Sequence, residues 1–228
     1  MVGMGRLVAA VALVSAVFCA GGISAAPAGA GAAGCGSASY SYAGLQAAER
    51  GHGVRATITV LDAPRVQKGH VAAWVGVAGR DHWIQVGVSG FEGSPTSNLY
   101  YEISRAGRAP QYFEVEPDIA PVATRTVAVL EVRGHPNWWR VWVNGKPVSK
   151  PVHLAGSHKQ WRGLATAESW NAGTRACNAF AYRFDRLAVA AAPGGSWHQF
   201  RANHRFQSPG YAVVASRTTS FVAQTISR

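Results

Sequence analysis

The sequence predicts an all-β protein that folds as a sandwich of two antiparallel sheets. Short runs in which apolar and polar residues alternate recur along the chain, and turn-forming residues separate them. No stretch of the sequence shows the apolar repeat of a long amphipathic helix. We expect strands at residues 54–61, 71–77, 83–88, 98–104, 111–115, 125–133, 138–143, 147–153, 163–170 and 179–189.

Turn-forming residues also mark a hairpin and a domain boundary. Asn144-Gly145 is the dipeptide favoured in two-residue hairpins, because both positions accept a positive φ. Residues 192–195 read Ala-Pro-Gly-Gly, which is typical of a boundary. We therefore expect a sandwich domain at residues 39–191 and a basic C-terminal extension at residues 192–228, in which two short apolar runs form a hairpin.

The N-terminus has the layout of a secretory signal peptide. Arg6 precedes an unbroken apolar run at residues 7–20, and small residues suited to cleavage follow. The run is too short for a good membrane span, and a retained anchor is the alternative. We expect a signal peptide at residues 1–28, a flexible lead-in at residues 29–38, and a mature protein that is secreted or associated with the cell envelope without a membrane span.

The two cysteines that remain after signal cleavage predict one disulfide. Cys19 lies within the predicted signal peptide, which leaves Cys35 and Cys177. An even pair in an exported chain is typical of a disulfide, which here would close a loop of roughly 140 residues. Two unrelated thiols are the alternative.

The chain is strongly basic, with 22 Lys and Arg against 11 Asp and Glu and a formal net charge of +11. Such a charge is common in nucleic-acid-binding proteins, but export and the scattered basic residues argue against that partner. We expect no nucleic-acid binding. An anionic polymer of the cell envelope is a partner that this charge favours, and a solvated basic surface is the simpler alternative.

Side-chain parity divides three of the predicted strands into two unlike faces. Successive side chains of a strand point to opposite sides, so residues 71–77, 83–88 and 98–104 each have one aliphatic face. The second faces carry aromatic, amide and carboxyl groups between glycines: Trp74, Gly76, Trp83, Gln85, Gly87, Tyr100 and Glu102. We interpret this set as a groove that receives a ligand chain. A second packed layer with a hydrogen-bonded glutamine is the alternative.

The motifs of common enzyme classes are missing from the sequence. It contains no GxSxG, P-loop, GxGxxG or HExxH motif, and its eight histidines stand far apart, so we expect no metal site and no cofactor. Two candidates for catalysis remain. The amide of Gln85 is able to stabilise an oxyanion, and the carboxyl of Glu168, two residues before Trp170, is able to transfer protons.

Four motifs follow one another in an order that resembles a known peptidase family. They are Trp-Val-Gly-Val at 74–77, Ile-Gln-Val-Gly-Val at 84–88, Tyr-Tyr-Glu at 100–102 and Ala-Glu-Ser-Trp at 167–170. They are similar to the W-V-G-I, L-Q-x-G-V, W-Y-E-W and A-E-W-I motifs of the eqolisins, the glutamic peptidases of family G1. The resemblance spans roughly residues 54–190 and implies a concanavalin A-like jelly roll. The chain departs from the family pattern at Ala78 and Ser89, where the family has acidic residues.

The resemblance implies a role for each matched residue. Gln85 would stabilise the oxyanion and Glu168 would activate water, so we expect a secreted endopeptidase with a Gln85/Glu168 dyad. The residues expected to bind its polypeptide substrate are Trp74, Trp83, Tyr100, Glu102 and Trp170. The alternative is a non-catalytic secreted module that binds cell-envelope carbohydrate or protein through the same aromatic groove. A surface protein without a site is a third hypothesis.

Overall fold

The computed structural model describes residues 39–217 and 219–226 of the 228-residue chain. Within these residues the regular secondary structure consists of sixteen β-strands and no helix. The strands are β1 (Tyr40–Arg50), β2 (Gly53–Val60), β3 (His70–Ala78), β4 (Trp83–Phe91), β5 (Ser97–Ser104), β6 (Gln111–Ile119), β7 (Thr124–Glu131), β8 (Trp138–Val143), β9 (Lys146–Pro147), β10 (Val152–His153), β11 (Arg162–Trp170), β12 (Ala181–Ala190), β13 (Trp197–Gln199), β14 (Ala202–Gln207), β15 (Tyr211–Arg217) and β16 (Ser220–Thr225).

The strands form two antiparallel sheets. The first, sheet I, has the strand order β14-β1-β11-β3-β4-β5-β6. The second, sheet II, has the order β10-β8-β7-β2-β12-β16-β15, with β13 beside β12 and β9 beside β8. The strand pairs of both sheets are antiparallel. The predicted all-β architecture of two antiparallel sheets is therefore confirmed.

The hydrophobic core lies between the two sheets and is built by strand alternation. In β3 the alternate residues Val71, Val75 and Val77 point into it, and Val127 and Val129 of β7 belong to the same cluster from sheet II. Full burial of one such side chain stabilises the fold by about 1.5–3 kcal/mol. Because the core takes every second residue of the sheet I strands, the residues between them point to the opposite side of that sheet.

Strand β1 is an element that the sequence pattern does not predict. Its sequence, YSYAGLQAAER, contains no β-branched residue and therefore has a weak strand signal. It is held in place by β11 on one side and β14 on the other, both of which come much later in the chain. Small residues make the fit close: a Cβ on Gly44 would lie 2.4 Å from Thr166 Cβ.

The C-terminal strands belong to the same sandwich. β14 pairs with β1 in sheet I, and the predicted C-terminal hairpin is formed by β15 and β16 in sheet II. Phe221 of β16 stacks on Phe184 of β12 with ring centroids 4.5 Å apart, and both side chains are fully buried. The structure thus differs from the predicted division at residues 192–195. Strands β13 to β16 are not an appended extension, because all four pair within the two sheets, and Tyr211, Val213, Phe221 and Ala223 of β15 and β16 belong to the core.

Two local predictions have different outcomes. Asn144 and Gly145 both have positive φ, 48° and 77°, and connect β8 to β9, which confirms the predicted hairpin. The strand predicted at residues 147–153 is interrupted and forms only β9 and β10. Pro147 and Pro151 lie in this segment, and a proline has no N–H group for a continuous ladder.

Residues 1–38 lie outside the described part of the chain. The predicted signal peptide, the predicted lead-in and Cys35 all fall there, so these features and the Cys35–Cys177 disulfide stay predictions. Among the described residues, no helix is long and apolar enough to cross a membrane.

Candidate active site

The predicted site residues lie on the face of sheet I that points away from the core, called the site face. The residues on either side of them in sequence, such as Val75 and Val86, are in the core, which fixes this orientation. The site face carries Trp74 of β3, Trp83 and Gln85 of β4, Tyr100 and Glu102 of β5, and Glu168 and Trp170 of β11. The parity argument therefore places all seven residues on one side of one sheet.

Strand register separates the two residues of the predicted dyad. Gln85 lies opposite Gly76 of β3, and Gly76 lies opposite Leu164 of β11. Glu168 is four residues beyond Leu164, in line with Ser89 of β4. A shift of four residues corresponds to about 13 Å along the strands. The structure does not bring Gln85 and Glu168 into one row, and the row that contains Trp74 lies between them.

Gln85 is instead bound to a tyrosine. Its Nε2 donates a hydrogen bond of 3.1 Å to the phenol oxygen of Tyr100, and both side chains are buried. The Tyr100 ring stacks on Tyr112 with centroids 5.0 Å apart. Burial, together with the charges of Glu168 and Glu102, raises the pKa of Tyr100 well above its ordinary value, so its hydroxyl keeps its proton.

Glu102 is the carboxyl group beside Gln85, directly opposite it across β4 and β5. Only 2% of Glu102 is exposed, and Trp83 Nε1 donates a hydrogen bond of 3.1 Å to its Oε1. Burial and then the charge of Glu168 raise the pKa of Glu102 to about 7, and the Trp83 hydrogen bond partly opposes them. Glu102 is therefore protonated in mildly acidic solution.

Glu168 and Glu102 line the same small cavity. Its volume of about 10 Å³ leaves room for roughly one water molecule, and Tyr100 and His70 also line it. His70 Nε2 lies 3.6 Å from Glu168 Oε1, beyond direct hydrogen-bond range. Two carboxyl groups, a phenol and an imidazole thus line one small cavity, although Glu102 and Glu168 lie in rows four residues apart.

The site face is packed, which differs from the open groove expected from the sequence. Trp74, Gln85, Tyr100, Glu102 and Glu168 each have 8% or less of their surface exposed. Trp83 and Trp170 are half-buried at its ends. Gly87 has a packing role, because a Cβ at this position would lie 1.9 Å from the Ala73 carbonyl oxygen of the neighbouring strand. Gly87 thus permits the close approach of β3 and β4 and is not evidence of a groove.

Several residues of this face were not predicted. His70 has the same parity as Trp74, but it lies one residue before the predicted start of its strand. Its ring contacts Trp170 at 5.5 Å and Tyr40 at 5.8 Å between centroids. Tyr40 lies on β1, a strand that the sequence pattern does not predict. Tyr112 of β6 stacks on Tyr100. The signals available from the sequence were the parity of His70 with Trp74 and the position of Tyr112 in the strand predicted at residues 111–115.

A second cluster of titratable residues lies at the other sheet. His52 Nδ1 lies 2.6 Å from Glu131 Oε2, and His158 Nδ1 lies 2.9 Å from Glu131 Oε1. Their ligating atoms are within 4.8 Å of one another, so these are the described residues best able to hold a metal ion. No sequence pattern indicates this cluster, because 106 positions separate His52 from His158. Direct hydrogen bonds already satisfy these atoms, and the expectation of no metal site stays a prediction.

Comparison with known proteins gives a fold but no family. No protein-family profile matches the chain, and no curated protein matches it. Two structures of scytalido-glutamic peptidase with transition-state analogs are similar, with TM-scores of 0.56 and 0.58 at 17% and 16% identity. SCP-B, an eqolisin solved with the tripeptide Ala-Ile-His, has a TM-score of 0.55 at 16% identity. Each match covers 82% of this chain and 98% of the other, and the predicted jelly-roll sandwich is confirmed.

Proposed function

We propose that this protein is a secreted glutamic endopeptidase that hydrolyses peptide bonds with the carboxyl groups of Glu102 and Glu168. The observation that carries the proposal is that both groups line one water-sized cavity in a chain with the fold of glutamic peptidases. Hydrolysis by acid and base needs two titratable groups in unlike environments. Glu102, buried beneath Trp83 with its pKa near 7, meets the requirement for the acid.

Glu168 acts as the general base in this proposal. As a carboxylate it takes a proton from a water molecule, and the water oxygen bonds to the carbonyl carbon of the scissile peptide. The carbonyl oxygen becomes an oxyanion, which the protonated carboxyl of Glu102 stabilises as a hydrogen-bond donor. The C–N bond then breaks as Glu168 returns its proton to the leaving nitrogen. Atoms and charges balance with water as the only co-reactant.

Gln85 acts through Tyr100. Because Gln85 Nε2 donates to the Tyr100 oxygen, the Tyr100 hydroxyl proton is directed away from Gln85 and towards the cavity that Tyr100 lines. Tyr100 is thus a second donor to the oxyanion, and Gln85 is its positioning residue. Among the described residues, Tyr100, Glu102 and Glu168 line the small cavity and Gln85 does not, which supports this indirect role over a direct dyad.

Access of a polypeptide to the carboxyl groups requires side-chain movement. The half-buried aromatic residues Tyr42 and Tyr112 lie beside Glu168 and Tyr100 respectively. Rotation of such side chains opens a cleft without any change in the strands, and binding of substrate supplies the energy for it.

The test is cleavage of an unfolded protein by the purified full chain between about pH 2 and 7. We expect Glu168→Gln to lower the rate by at least about 100-fold. Glu114→Gln is the matched control, because Glu114 is exposed on β6 and binds only Asn98 among the hydrogen bonds of the described residues. If wild type shows no cleavage above the Glu168→Gln background, the peptidase proposal is rejected.

A second function is favoured by the packing of the site face. This function is non-catalytic binding of cell-envelope carbohydrate or protein. It does not require an open cleft around Glu168, because the half-buried rings of Trp83 and Trp170 at the ends of the site face are sufficient for contact. Binding of an envelope polysaccharide that survives Glu168→Gln and is lost in Trp170→Ala would support this function.

Secretion is part of the proposal and rests on the sequence of residues 1–28. A charged start, an apolar run and small residues are the features that signal peptidases recognise. N-terminal sequencing of the protein recovered outside the cytoplasm should give a first residue between about 27 and 33. Recovery of an intact Met1 from that fraction would reject the proposal.

A further inference from the structure

A second pocket lies on the outer face of sheet II, away from the core and on the other side of the sandwich from Glu168. Trp142 of β8 lies opposite Ala128 of β7, and Ala128 lies opposite Arg55 of β2. Arg140, two residues before Trp142, has the same parity. Because Val141 and Val143 point into the core, these side chains point outwards.

The pocket, called the arginine groove, has the size of a small-ligand site. Its volume is about 460 Å³, within the range of about 300–1,000 Å³ found for ligand pockets. Ala128 and Leu130 form its floor, and the half-buried indoles of Trp142 and Trp197 line it. The small side chain of Ala128 lies directly opposite Trp142, which leaves one face of the pocket open beside an indole.

Three arginines, Arg55, Arg133 and Arg140, line the arginine groove. None of them pairs with a carboxylate within residues 39–217 and 219–226, and Arg55 lies over the Trp197 ring at 4.6 Å. Glu131 also borders the groove, but its side chain has no exposed surface and its oxygens are bound by histidines. The groove is therefore positively charged towards solvent.

Two donors in the groove lack acceptors. Arg140 Nε and Trp142 Nε1 are buried, and neither has a hydrogen-bond partner in the part of the chain that the structure describes. Buried donors are normally paired, so unpaired donors on two side chains that line one pocket indicate a place where a ligand accepts hydrogen bonds after a small shift of these side chains. An anionic oxygen is the strongest acceptor for a guanidinium group.

We propose that the arginine groove binds an acidic polysaccharide, with a sugar ring against Trp142 or Trp197 and its carboxylate on Arg140. Pyranose rings present C–H groups to indole faces, and arginine binds carboxylates through two parallel hydrogen bonds. An acidic peptide fits less well, because β2, β7 and β8 are paired on both sides and offer no free edge to an extended backbone. This site is independent of the proposed peptidase site.

The test is calorimetric titration of the purified full chain with a short oligogalacturonate. We expect binding by wild type and at least about tenfold weaker binding by Arg140→Gln and by Arg55→Gln, because each loses a charged hydrogen-bond donor. Trp197→Ala should weaken binding to a similar extent, and Glu168→Gln should leave it unchanged. Neutral dextran oligomers should not bind.

Matched controls separate a site from general basic charge. Arg183 lies on the same face of sheet II but pairs with Asp185, and Trp138 is exposed on the same face of β8 outside the groove. Arg183→Gln and Trp138→Ala should keep wild-type affinity, and thermal unfolding shows whether each variant is folded. Equal weakening by Arg183→Gln and Arg140→Gln, absence of binding by wild type, or equal binding of poly-glutamate would overturn the proposal.

Discussion

Gln85 lies directly opposite Glu102 across the β4–β5 pair, and Trp83 binds the Glu102 carboxyl from the same strand as Gln85. Glu168 belongs to a different row, four residues along the sheet, yet it borders the same cavity as Glu102. The site is therefore organised around two carboxyl groups, and the Gln85 amide reaches it through the phenol of Tyr100.

If Gln85 acts through Tyr100, Tyr100→Phe should reduce the rate of cleavage more than Gln85→Leu does. Loss of an oxyanion donor costs roughly 100- to 1,000-fold in kcat, whereas loss of a positioning residue leaves the donor present. We expect the KM of Gln85→Leu to stay within about twofold of wild type while its kcat falls about tenfold. A larger loss in Gln85→Leu than in Tyr100→Phe would restore the direct dyad. Thermal unfolding of both variants controls for loss of the buried hydrogen bond.

The raised pKa of Glu102 predicts a pH dependence of stability. A carboxyl whose pKa rises from 4.5 to about 7 on folding stabilises the protein most below the lower value, and this stabilisation is lost as pH increases towards the higher one. The size is about 3 kcal/mol for the full shift. The measurement is the difference in free energy of unfolding between wild type and Glu102→Gln from pH 4 to 8. A difference that does not change over this range argues against the raised pKa.

The buried cluster of His52, Glu131 and His158 should be a major source of stability. Glu131 is fully buried and accepts hydrogen bonds from both histidines and from the Asn137 backbone. Glu131→Gln should lower the free energy of unfolding by roughly 3–5 kcal/mol, as is usual when a buried charged partner is removed. Glu92→Gln, which breaks an exposed pair with Lys68, should cost about 1 kcal/mol or less. Similar losses of unfolding free energy in both variants would show that the cluster stabilises the fold no more than an exposed ion pair does.

Strands β3 and β4 lie so close together at position 87 that a side chain there should destabilise the fold. A Cβ on Gly87 would lie 2.6 Å from Trp74 Cα as well as against the Ala73 carbonyl, and both contacts are to backbone. We expect Gly87→Ala to lower the free energy of unfolding by about 3 kcal/mol. Gly93→Ala is the control, because its Cβ meets no atom within 4 Å and it has only the strain of φ 77°, about 1 kcal/mol. A neutral Gly87→Ala would contradict the close approach.

Parity was sufficient to place the site residues on one face, because it depends only on neighbours within each strand. Register was not predictable in the same way. The shift between Gln85 and Glu168 depends on how β3 pairs with both β4 and β11, and β11 follows 71 residues after β4 in sequence. A motif order shared with a peptidase family carries no information on that shift.

The burial of the site face was also not predictable from the sequence. Aromatic and amide side chains on a second strand face suit an open groove or a packed layer equally well, and the missed residues of β1 decide between them. Tyr40 and Tyr42 of β1 stack at 5.9 Å and extend the packed aromatic layer of the site face. The arginine groove was not predicted because Trp142 and Trp197 come to line one pocket only through the strand order β8-β7-β2-β12 and the pairing of β13 with β12.

The pH profile of peptide cleavage in wild type and Glu102→Gln tests the central claim most directly. With Glu102 as the protonated donor, wild-type activity should fall as pH rises through about 7, where this carboxyl loses its proton. Glu102→Gln keeps an N–H donor at that position, so it should retain part of the activity and lose the fall near pH 7. An identical fall in both proteins, or no cleavage by wild type at any pH, would contradict the assignment of Glu102 and Glu168 as the catalytic pair.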